Sequence, residues 1–397
     1  MSLLRNKVTA GSELPPYGLS LPDRSTPKGF SRTHSAGECG LGQGTVQQKT
    51  SHQEPRDRGQ RQQGQPDQEQ TKSVRLRIHN LVTRDPRTGL AEDVRKGLAA
   101  SPKRFLPKYF YDELGSQLFE AICLLPEYYL TRAEEEILRN YADEIAAAVE
   151  GKKTLVEMGS GSATKTRLLI EALLREQTEL LFMPVDISAS ALESSSRILL
   201  QSYPRLRIEA YAADYFAGMT ELEKSERGRT LALFLGSNIS NFTSAEAIRF
   251  LKAMRSVLHK GDALLLGADL KKDRATLEAA YNDALGVTSA FNLNVLARIN
   301  RELGGNFDLR SFKHHAFYNE DKGRIEIYIQ SLMDQRVRID KLDIEVDFAE
   351  GELIHTEHSH KYDEAAIDRL ANETGFVRTK TWVDSQGRFS SNLLMAE

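Results

Sequence analysis

Residues 154–170 read TLVEMGSGSATKTRLLI, and the fold of the chain turns on this stretch. Thr154–Met158 is an apolar, strand-like run with Glu157 near its end, and glycines follow at once. From about Lys165 the apolar residues recur at helical spacing. The reading is a strand, a tight turn and a helix. Gly159 and Gly161 carry no Cβ, so the backbone there can bend sharply and a ligand can come close. The free N–H groups at the start of the helix favour negative or electron-rich groups. The turn therefore reads as a site for a nucleotide-like cofactor.

Two phosphate motifs fit this turn imperfectly. The dinucleotide fingerprint G-x-G-x-x-G has Thr164 at its third glycine, and the phosphate loop G-x-x-x-x-G-K-[ST] has the same Thr164 at its second. Each fails at the residue that must let phosphate approach the backbone. What remains, E-x-G-x-G, resembles the first motif of the Rossmann-like, S-adenosylmethionine-dependent methyltransferases, whose cofactor has no pyrophosphate to cradle. In that class an acidic residue ends the second strand and binds the ribose hydroxyls. Asp186 ends Leu181–Asp186, where a ribose-binding acid is also expected physically. A nucleotide-hydrolysing phosphate loop using Lys165 remains the competing reading of this stretch.

Outward from the turn, strands and helices alternate. The expected strands are Thr154–Met158, Leu181–Asp186, Arg207–Ala212, Thr230–Leu235 and Ala263–Ala268. Ala189–Tyr203 and Ala245–Leu258 read as helices, the second opened by Thr243 with Glu246. That alternation predicts a doubly wound parallel sheet, with ligands at the carboxyl ends of the strands: Glu157–Gly161, Asp186, Asp214–Tyr215, Gly236–Asn241 and Asp269. Lys272–Leu303 reads as one long amphipathic helix. Strands at Arg324–Ser331, Arg336–Ile339 and Leu342–Asp347 break the alternation and predict an inserted antiparallel domain. A strand at Glu352–Tyr362, a helix at Asp363–Thr374 and strands at Val377–Trp382 and Phe389–Met395 follow.

Before the turn, residues 1–72 are poor in apolar residues and rich in Gly, Pro, Ser and Gln. Such a segment cannot bury enough surface to offset its ordering entropy, and a disordered tail is expected. Order is expected from Val74–Leu81. Ala91–Leu98 and Asp112–Cys123 read as helices, Pro126 as a break, and Thr131 with Glu134 as a capping box opening a helix to Val149. Tyr109, Phe110, Tyr111, Tyr128 and Tyr129 crowd this region. The loop Leu124–Thr131 is too short to bury Tyr128 and Tyr129 together easily, so one of them is expected to face a ligand.

Composition narrows the class. The chain has 397 residues, 40% of them hydrophobic, and a formal net charge of −3, which gives no basic excess for nucleic acid. Its two cysteines, Cys39 and Cys123, suit a reducing compartment rather than a disulfide framework. No run reaches the roughly 18 apolar residues of a membrane span, and no secretory signal opens the chain. A cytoplasmic protein is expected, in which the sequons at Asn238 and Asn241 carry no glycan.

YFYDELGSQLFE, LPEYYLTRAE, LVEMGSGSATKTR, FLGSNISNFT, AYNDALGVTSAFNLNVL and the E-x-S of TEHSH together resemble the histidine-specific Nα-methyltransferases of ergothioneine biosynthesis. The resemblance spans residues 84–397. It implies an α/β fold, a Rossmann-like class I methyltransferase sheet (136–271 and 362–397) with an inserted α+β substrate-binding domain (84–135 and 272–361). It implies transfer of methyl groups from S-adenosylmethionine to the α-amino group of L-histidine, giving hercynine, without a metal. Gly159, Lys165, Asp186, Asp214 and Tyr215 would contact the cofactor: Asp186 the ribose, Asp214 the adenine amino group, Tyr215 the base. Tyr128, Asn241 and Tyr281 would hold the α-amino and carboxylate end of the substrate, and Glu357 and Ser359 its imidazole. Tyr111 and Phe119 resemble the aromatic lining of that pocket. No general base is assigned, and a monomer is expected.

The residue types suit that chemistry. Strand alternation puts Glu357 and Ser359 on one face and His358 and His360 on the other. A carboxylate accepts an imidazole N–H while a hydroxyl serves the second ring nitrogen. Members of the family carry Met at Ile327 and Gly at Ser240. A tryptophan methyltransferase is the nearest alternative, disfavoured by the unpaired carboxylate that Glu357 would become beside an indole. An inactive methyltransferase fold serving as a binding module is the alternative outside enzymes. The bland expectations are that His355, separated by alternation from His358 and His360, and its neighbours are solvated strand residues. His314 and His315 are expected at the surface or a hinge, Asp269 and Asp283 as caps or surface charges, and Lys165 alternatively as an ordinary helix lysine.

Overall fold

The computed structural model describes residues 75–81, 86–225 and 227–397; the expected tail over 1–72 lies outside them. In chain order, β1 (Leu76–Asn80) precedes three helices, α1 (Pro86–Leu98), α2 (Glu113–Leu124) and α3 (Leu130–Ala147). The alternating region follows: β2 (Lys153–Met158), α4 (Thr166–Glu176), β3 (Leu180–Asp186), α5 (Ala189–Ser202), β4 (Leu206–Ala212), α6 (Tyr215–Lys224), β5 (Arg229–Phe234), α7 (Ser244–Val257) and β6 (Ala263–Asp269). Then come α8 (Arg274–Ala279) and α9 (Val287–Leu303). The strands β7 (Phe312–Asn319), β8 (Arg324–Ser331), β9 (Gln335–Ile339), β10 (Ile344–Phe348) and β11 (Leu353–His360) precede α10 (Glu364–Thr374), β12 (Phe376–Val383) and β13 (Phe389–Ala396).

Among the described residues the main sheet has eight strands in the order β1-β4-β3-β2-β5-β6-β13-β12. β1 to β6 run parallel, and β13 and β12 close the edge antiparallel. Every residue of β2 and β6 is buried, as expected of parallel strands covered on both faces. The strand period of two divides them between two cores. Leu155, Leu231, Leu233 and Leu265 face the one built with α3, α4 and α5. Val156, Ala232, Phe234, Leu264 and Leu266 face the one built with α6, α7 and α10. The strand order reverses between β2 and β5, so the crevice at their carboxyl ends is the natural ligand position. A second sheet, β11-β8-β7, and a hairpin, β10-β9, are both antiparallel.

Four local expectations fail, each for a physical reason. Thr131 and Glu134 do not cap α3: the helix starts at Leu130 without a side-chain cap, and Glu134 is fully buried. The box at Thr243 and Glu246 does form. Lys272–Leu303 is not one helix: it breaks over 280–286, where Gly286 adopts φ 74° and the Asp283 carboxylate accepts from the N–H groups of Val287 and Thr288 at 2.9 and 2.7 Å. Tyr281 therefore sits in a turn. His314 and His315 belong to a full strand, β7, instead of a hinge. Lastly, a bulge between His355 and Glu357 shifts the β11 alternation by one residue. His355 thereby joins the face of His358 and His360, with ring centroids 5.7 and 5.0 Å apart in sequence. These imidazoles are half-buried, each with an Nε2 lacking a partner, and burial holds His355 and His360 down to about 4. Their Nε2 atoms are therefore shut off from solvent, unlike those of freely solvated strand residues. No three His, Cys, Asp or Glu side chains among the described residues converge on a metal-sized site.

Candidate active site

The turn after β2 is built as its glycines require. Gly159 adopts φ 75° and Gly161 φ 49°, conformations that favour a residue without Cβ. A Cβ at Gly159 would lie 3.1 Å from Tyr215 Oη and 3.2 Å from Asn238 Nδ2. Asp186, at the end of β3, accepts from the Gly161 N–H and the Ser188 N–H, both at 2.9 Å. Burial raises its carboxyl above the ordinary range despite those bonds. Asp214 caps α6 by accepting from the Ala217 N–H at 2.9 Å, and it remains exposed. Tyr215 packs edge-on against Phe234 and Phe250, with ring centroids 5.5 and 5.4 Å away. Gly159, Asp186, Asp214 and Tyr215 thus come from adjacent strand ends around one crevice.

Lys165 behaves differently from a phosphate-loop lysine. It is ion-paired to the buried carboxylate of Glu134, and a Cβ at Gly236 would lie 3.7 Å from its Nζ. Burial alone would lower its pKa, but Glu134 outweighs that and raises it. Glu134 also accepts from the Gly236 N–H, 2.9 Å from each carboxylate oxygen. The space for this carboxylate exists because residue 267 is glycine: a Cβ there would meet Glu134 Oε1 at 2.2 Å. Glu157 is buried, accepts from the Thr166 hydroxyl at 2.7 Å and is pushed up to about 8 by burial.

A cavity partly open to solvent lies beyond Gly236, which lines it. Tyr111, Phe119, Tyr128, Asn241, Tyr281, Glu357 and Ser359 all line it, although they come from five segments of the chain. Its wall is aromatic. Phe119 meets Tyr111, Tyr128 and Phe291 at centroid distances of 5.6, 6.3 and 5.9 Å, and Tyr128 meets Tyr281 at 6.3 Å. Ile327 lies opposite Glu357 in the β8–β11 pair and also lines the cavity. Ser240 sits just outside, its hydroxyl 2.6 Å from that of Ser237.

Both Tyr128 and Tyr129 are buried, contrary to expectation. Tyr128 lines the cavity. Tyr129 points beneath it, its hydroxyl donating to Asp269 at 2.8 and 2.9 Å, and that partner is what makes its burial tolerable. Asp269 is fully buried and pairs with Lys272 at 2.6 Å and Lys361 at 2.7 Å, so it is no surface charge. Asp283 is the cap of α9 already described.

At the polar end of the cavity, Glu357 makes no side-chain hydrogen bond among the described residues, and burial pushes it up to about 7 while Lys361 opposes the rise. Ser359 and Tyr281 share a hydrogen bond of 2.9 Å. His314 lines the wall. Its Nε2 donates to the Tyr281 carbonyl at 2.8 Å, which leaves Nδ1 to accept from Asn292 Nδ2 at 2.9 Å. Burial lowers its pKa, in keeping with a neutral ring. Sequence reasoning missed Glu134, Asn238, Asn292, His314 and Lys361. Of these only Asn238 carried a signal, lying in the run Gly236–Asn241 at a strand end.

Comparison with known proteins matches these features. The model of the family described as "Histidine-specific methyltransferase, SAM-dependent" matches residues 90–396. A histidine N-alpha-methyltransferase of Mycolicibacterium smegmatis is 46% identical over 80% of this chain and 98% of its own. Ergothioneine biosynthesis protein 1 of Neurospora crassa is 32% identical over 71% of this chain and 32% of its own length. An L-tryptophan methyltransferase of Psilocybe serbica is 28% identical over 75% of this chain and 90% of its own. With its sheet order, its glycine turn and a match that runs through nearly all of the described residues, this chain belongs to the histidine-specific, S-adenosylmethionine-dependent methyltransferases.

Proposed function

We propose that this chain transfers methyl groups from S-adenosylmethionine to the α-amino nitrogen of L-histidine, up to the trimethylated product hercynine, as the first step of ergothioneine biosynthesis. The observation that carries the reading is the pairing of Glu357 and Ser359, a carboxylate and a hydroxyl side by side at one end of an aromatic cavity. An imidazole offers an N–H to the one and a ring nitrogen to the other. Tryptophan is the rival substrate. Its indole has no second ring nitrogen for Ser359, and a desolvated carboxylate beside its apolar ring is costly.

The residues of the crevice suit the methyl donor. Gly159 leaves open a space that a Cβ would fill. Asp186 would take the ribose hydroxyls, Asp214 the adenine amino group and Tyr215 the face of the base. Lys165 borders the same crevice with its charge neutralised by Glu134. When bound, S-adenosylmethionine supplies an electrophilic methyl on a sulfonium centre. The protein's own work is positioning. Tyr128 and Asn241 hold the amino and carboxylate end, to which Tyr281 offers a hydroxyl lone pair because its hydrogen is on Ser359, and the aromatic faces favour the positive charge that grows on the nitrogen. No side chain is assigned as a general base, because the site has only to receive the amine in its neutral form.

We assign 84–135 and 272–361 to substrate binding and 136–271 with 362–397 to the methyltransferase sheet. No helix among the described residues is long and apolar enough to cross a membrane. We infer a cytoplasmic monomer acting on a free amino acid, without nucleic acid or membrane as partner. The test is mass spectrometry of products from the full chain with S-adenosylmethionine and a mixture of the twenty amino acids. Mono-, di- and trimethylhistidine alone are expected. Methylated tryptophan in place of histidine would overturn the roles given to Glu357 and Ser359, and a folded, cofactor-binding protein without product would leave a binding module.

A further inference from the structure

Lys361 belongs to no motif, yet its ammonium lies directly behind the two hydroxyls at the polar end of the cavity. Its side chain is fully buried, and its Nζ is 2.7 Å from Asp269 Oδ2, 2.9 Å from Ser359 Oγ and 3.0 Å from Tyr281 Oη. An ammonium has three hydrogens and no lone pair, so all three donors are spent. Asp269 supplies the opposite charge and is itself held by Tyr129 and Lys272. The arrangement is therefore anchored to the end of β6 and has little freedom to turn.

This anchoring dictates what Ser359 can offer. Ser359 Oγ accepts from Lys361 and also from the Tyr281 hydroxyl, at 2.9 Å each. A hydroxyl has two acceptor positions and one hydrogen. Both acceptor positions are filled, so only the hydrogen remains for the cavity. Glu357, on the same strand face, is an acceptor when ionised. The cavity thus presents one acceptor and one donor to a ring.

We propose that Lys361 is a positioning residue that holds Ser359 as an obligate donor, so that the site selects the neutral imidazole, its N–H toward Glu357 and its bare nitrogen toward Ser359. This rests on the histidine reading given above. A doubly protonated imidazolium would aim its second N–H at the Ser359 hydrogen and is rejected. Without Lys361, Ser359 regains an acceptor position and that discrimination disappears.

The test compares histidine with 1,2,4-triazolylalanine, whose ring also carries an N–H and a bare nitrogen but stays neutral in mild acid. The titratable groups around the ring are Glu357 on β11, Asp269 at the end of β6, Lys272 just after it, Tyr111, Tyr281 and, behind its carbonyl, His314 of β7. They act on both substrates alike, as does Tyr128, whose ring meets that of Tyr281. The ratio of the two KM values, histidine over triazolylalanine, therefore isolates the proton on the substrate ring.

With the full-chain enzyme the ratio is expected to rise about tenfold per pH unit below the imidazole pKa near ~6.5. In Lys361→Met it is expected to change less than about threefold per unit. That variant leaves Asp269 paired with Lys272 and Tyr129, and its S-adenosylmethionine affinity serves as the check on folding. Ser359→Ala removes the donor itself and is expected to flatten the ratio in the same way, so the question is decided even if Lys361→Met does not fold. A flat ratio in the unaltered enzyme, or the full slope retained in either variant, would overturn the proposal. An unaltered enzyme that turns over another amino acid and not histidine would instead overturn the proposed function.

Discussion

Replacing Glu357 by Gln should make the protein more stable and a worse enzyme, with the two effects separable by pH. Burial lifts the Glu357 carboxyl from its ordinary 4.5 to about 7. A group whose pKa is higher in the folded than in the unfolded chain favours folding when protonated and disfavours it once ionised. The cost is therefore absent below about pH 4.5 and builds as pH rises toward 7. Each pKa unit corresponds to about 1.4 kcal/mol, so full ionisation costs the fold about 3 kcal/mol, an upper value because the side chain is only partly enclosed. Gln keeps the shape and removes the titration. Denaturant melts of the ligand-free protein at pH 5 and pH 8 measure the difference. Glu357→Gln should match the unaltered chain within about 1 kcal/mol at pH 5 and exceed it by about 2–3 kcal/mol at pH 8. At pH 8 its KM for histidine should rise by about 10- to 100-fold, the loss of one hydrogen bond to a charged acceptor, while S-adenosylmethionine affinity changes little. An equal stability gap at both pH values would refute the argument, because packing alone would then explain it. A parallel loss of cofactor affinity would refute the separation of the two sites.

Three further perturbations test other parts of the site. Gly159→Ala places a Cβ 3.1 Å from Tyr215 Oη at a φ of 75°; calorimetry should show S-adenosylmethionine affinity down at least about tenfold, with a stability loss of about 1 kcal/mol or more. Glu134→Gln breaks a buried ion pair, which typically costs about 3–5 kcal/mol; adding Lys165→Met should recover part of that loss in denaturant melts, since it removes the stranded ammonium. Thr243→Ala should cost about 1 kcal/mol through the lost cap of α7 and leave kcat and KM unchanged in the methyl-transfer assay.

The parallel sheet was legible because its signal is local and redundant. Most of β2 to β6 are short apolar runs bounded by turn residues, β4 alternates polar and apolar, and a helical pattern follows most of them. The positions of Gly159 and Asp186, just after β2 and at the end of β3, were legible for the same reason. The seven residues of the cavity were found through resemblance rather than periodicity. Tyr281 illustrates the difference. Its own neighbourhood reads as helix, and only the Asp283 cap with the positive φ of Gly286 turns the chain there and frees the tyrosine to face inward. The bulge in β11 is the opposite case: alternation placed Glu357 and Ser359 correctly because both follow the irregularity, and misplaced His355 because it precedes it.

Glu134 and Lys361 were illegible for a deeper reason. Each is a charged residue whose sequence context supports an ordinary role, a capping-box acid for the one and a strand-end lysine for the other. What makes them parts of the site is a partner distant in the chain: Lys165 and Gly236 for Glu134, Asp269 and Tyr281 for Lys361. A buried charge is tolerable only where its counter-charge and hydrogen bonds are complete. Completeness is a property of the assembled fold and not of any window of sequence. Glu134 even depends on an absent atom, the Cβ that Gly267 lacks. The two ion pairs bracket the crevice and the cavity, one beside Gly236 and the other behind Ser359. Each clamps a backbone or hydroxyl group that faces the ligand space, without a charge of its own entering it. That placement lets a site built for a cationic methyl donor and an ammonium product be rigid, because the charges of these two pairs are already neutralised behind the walls.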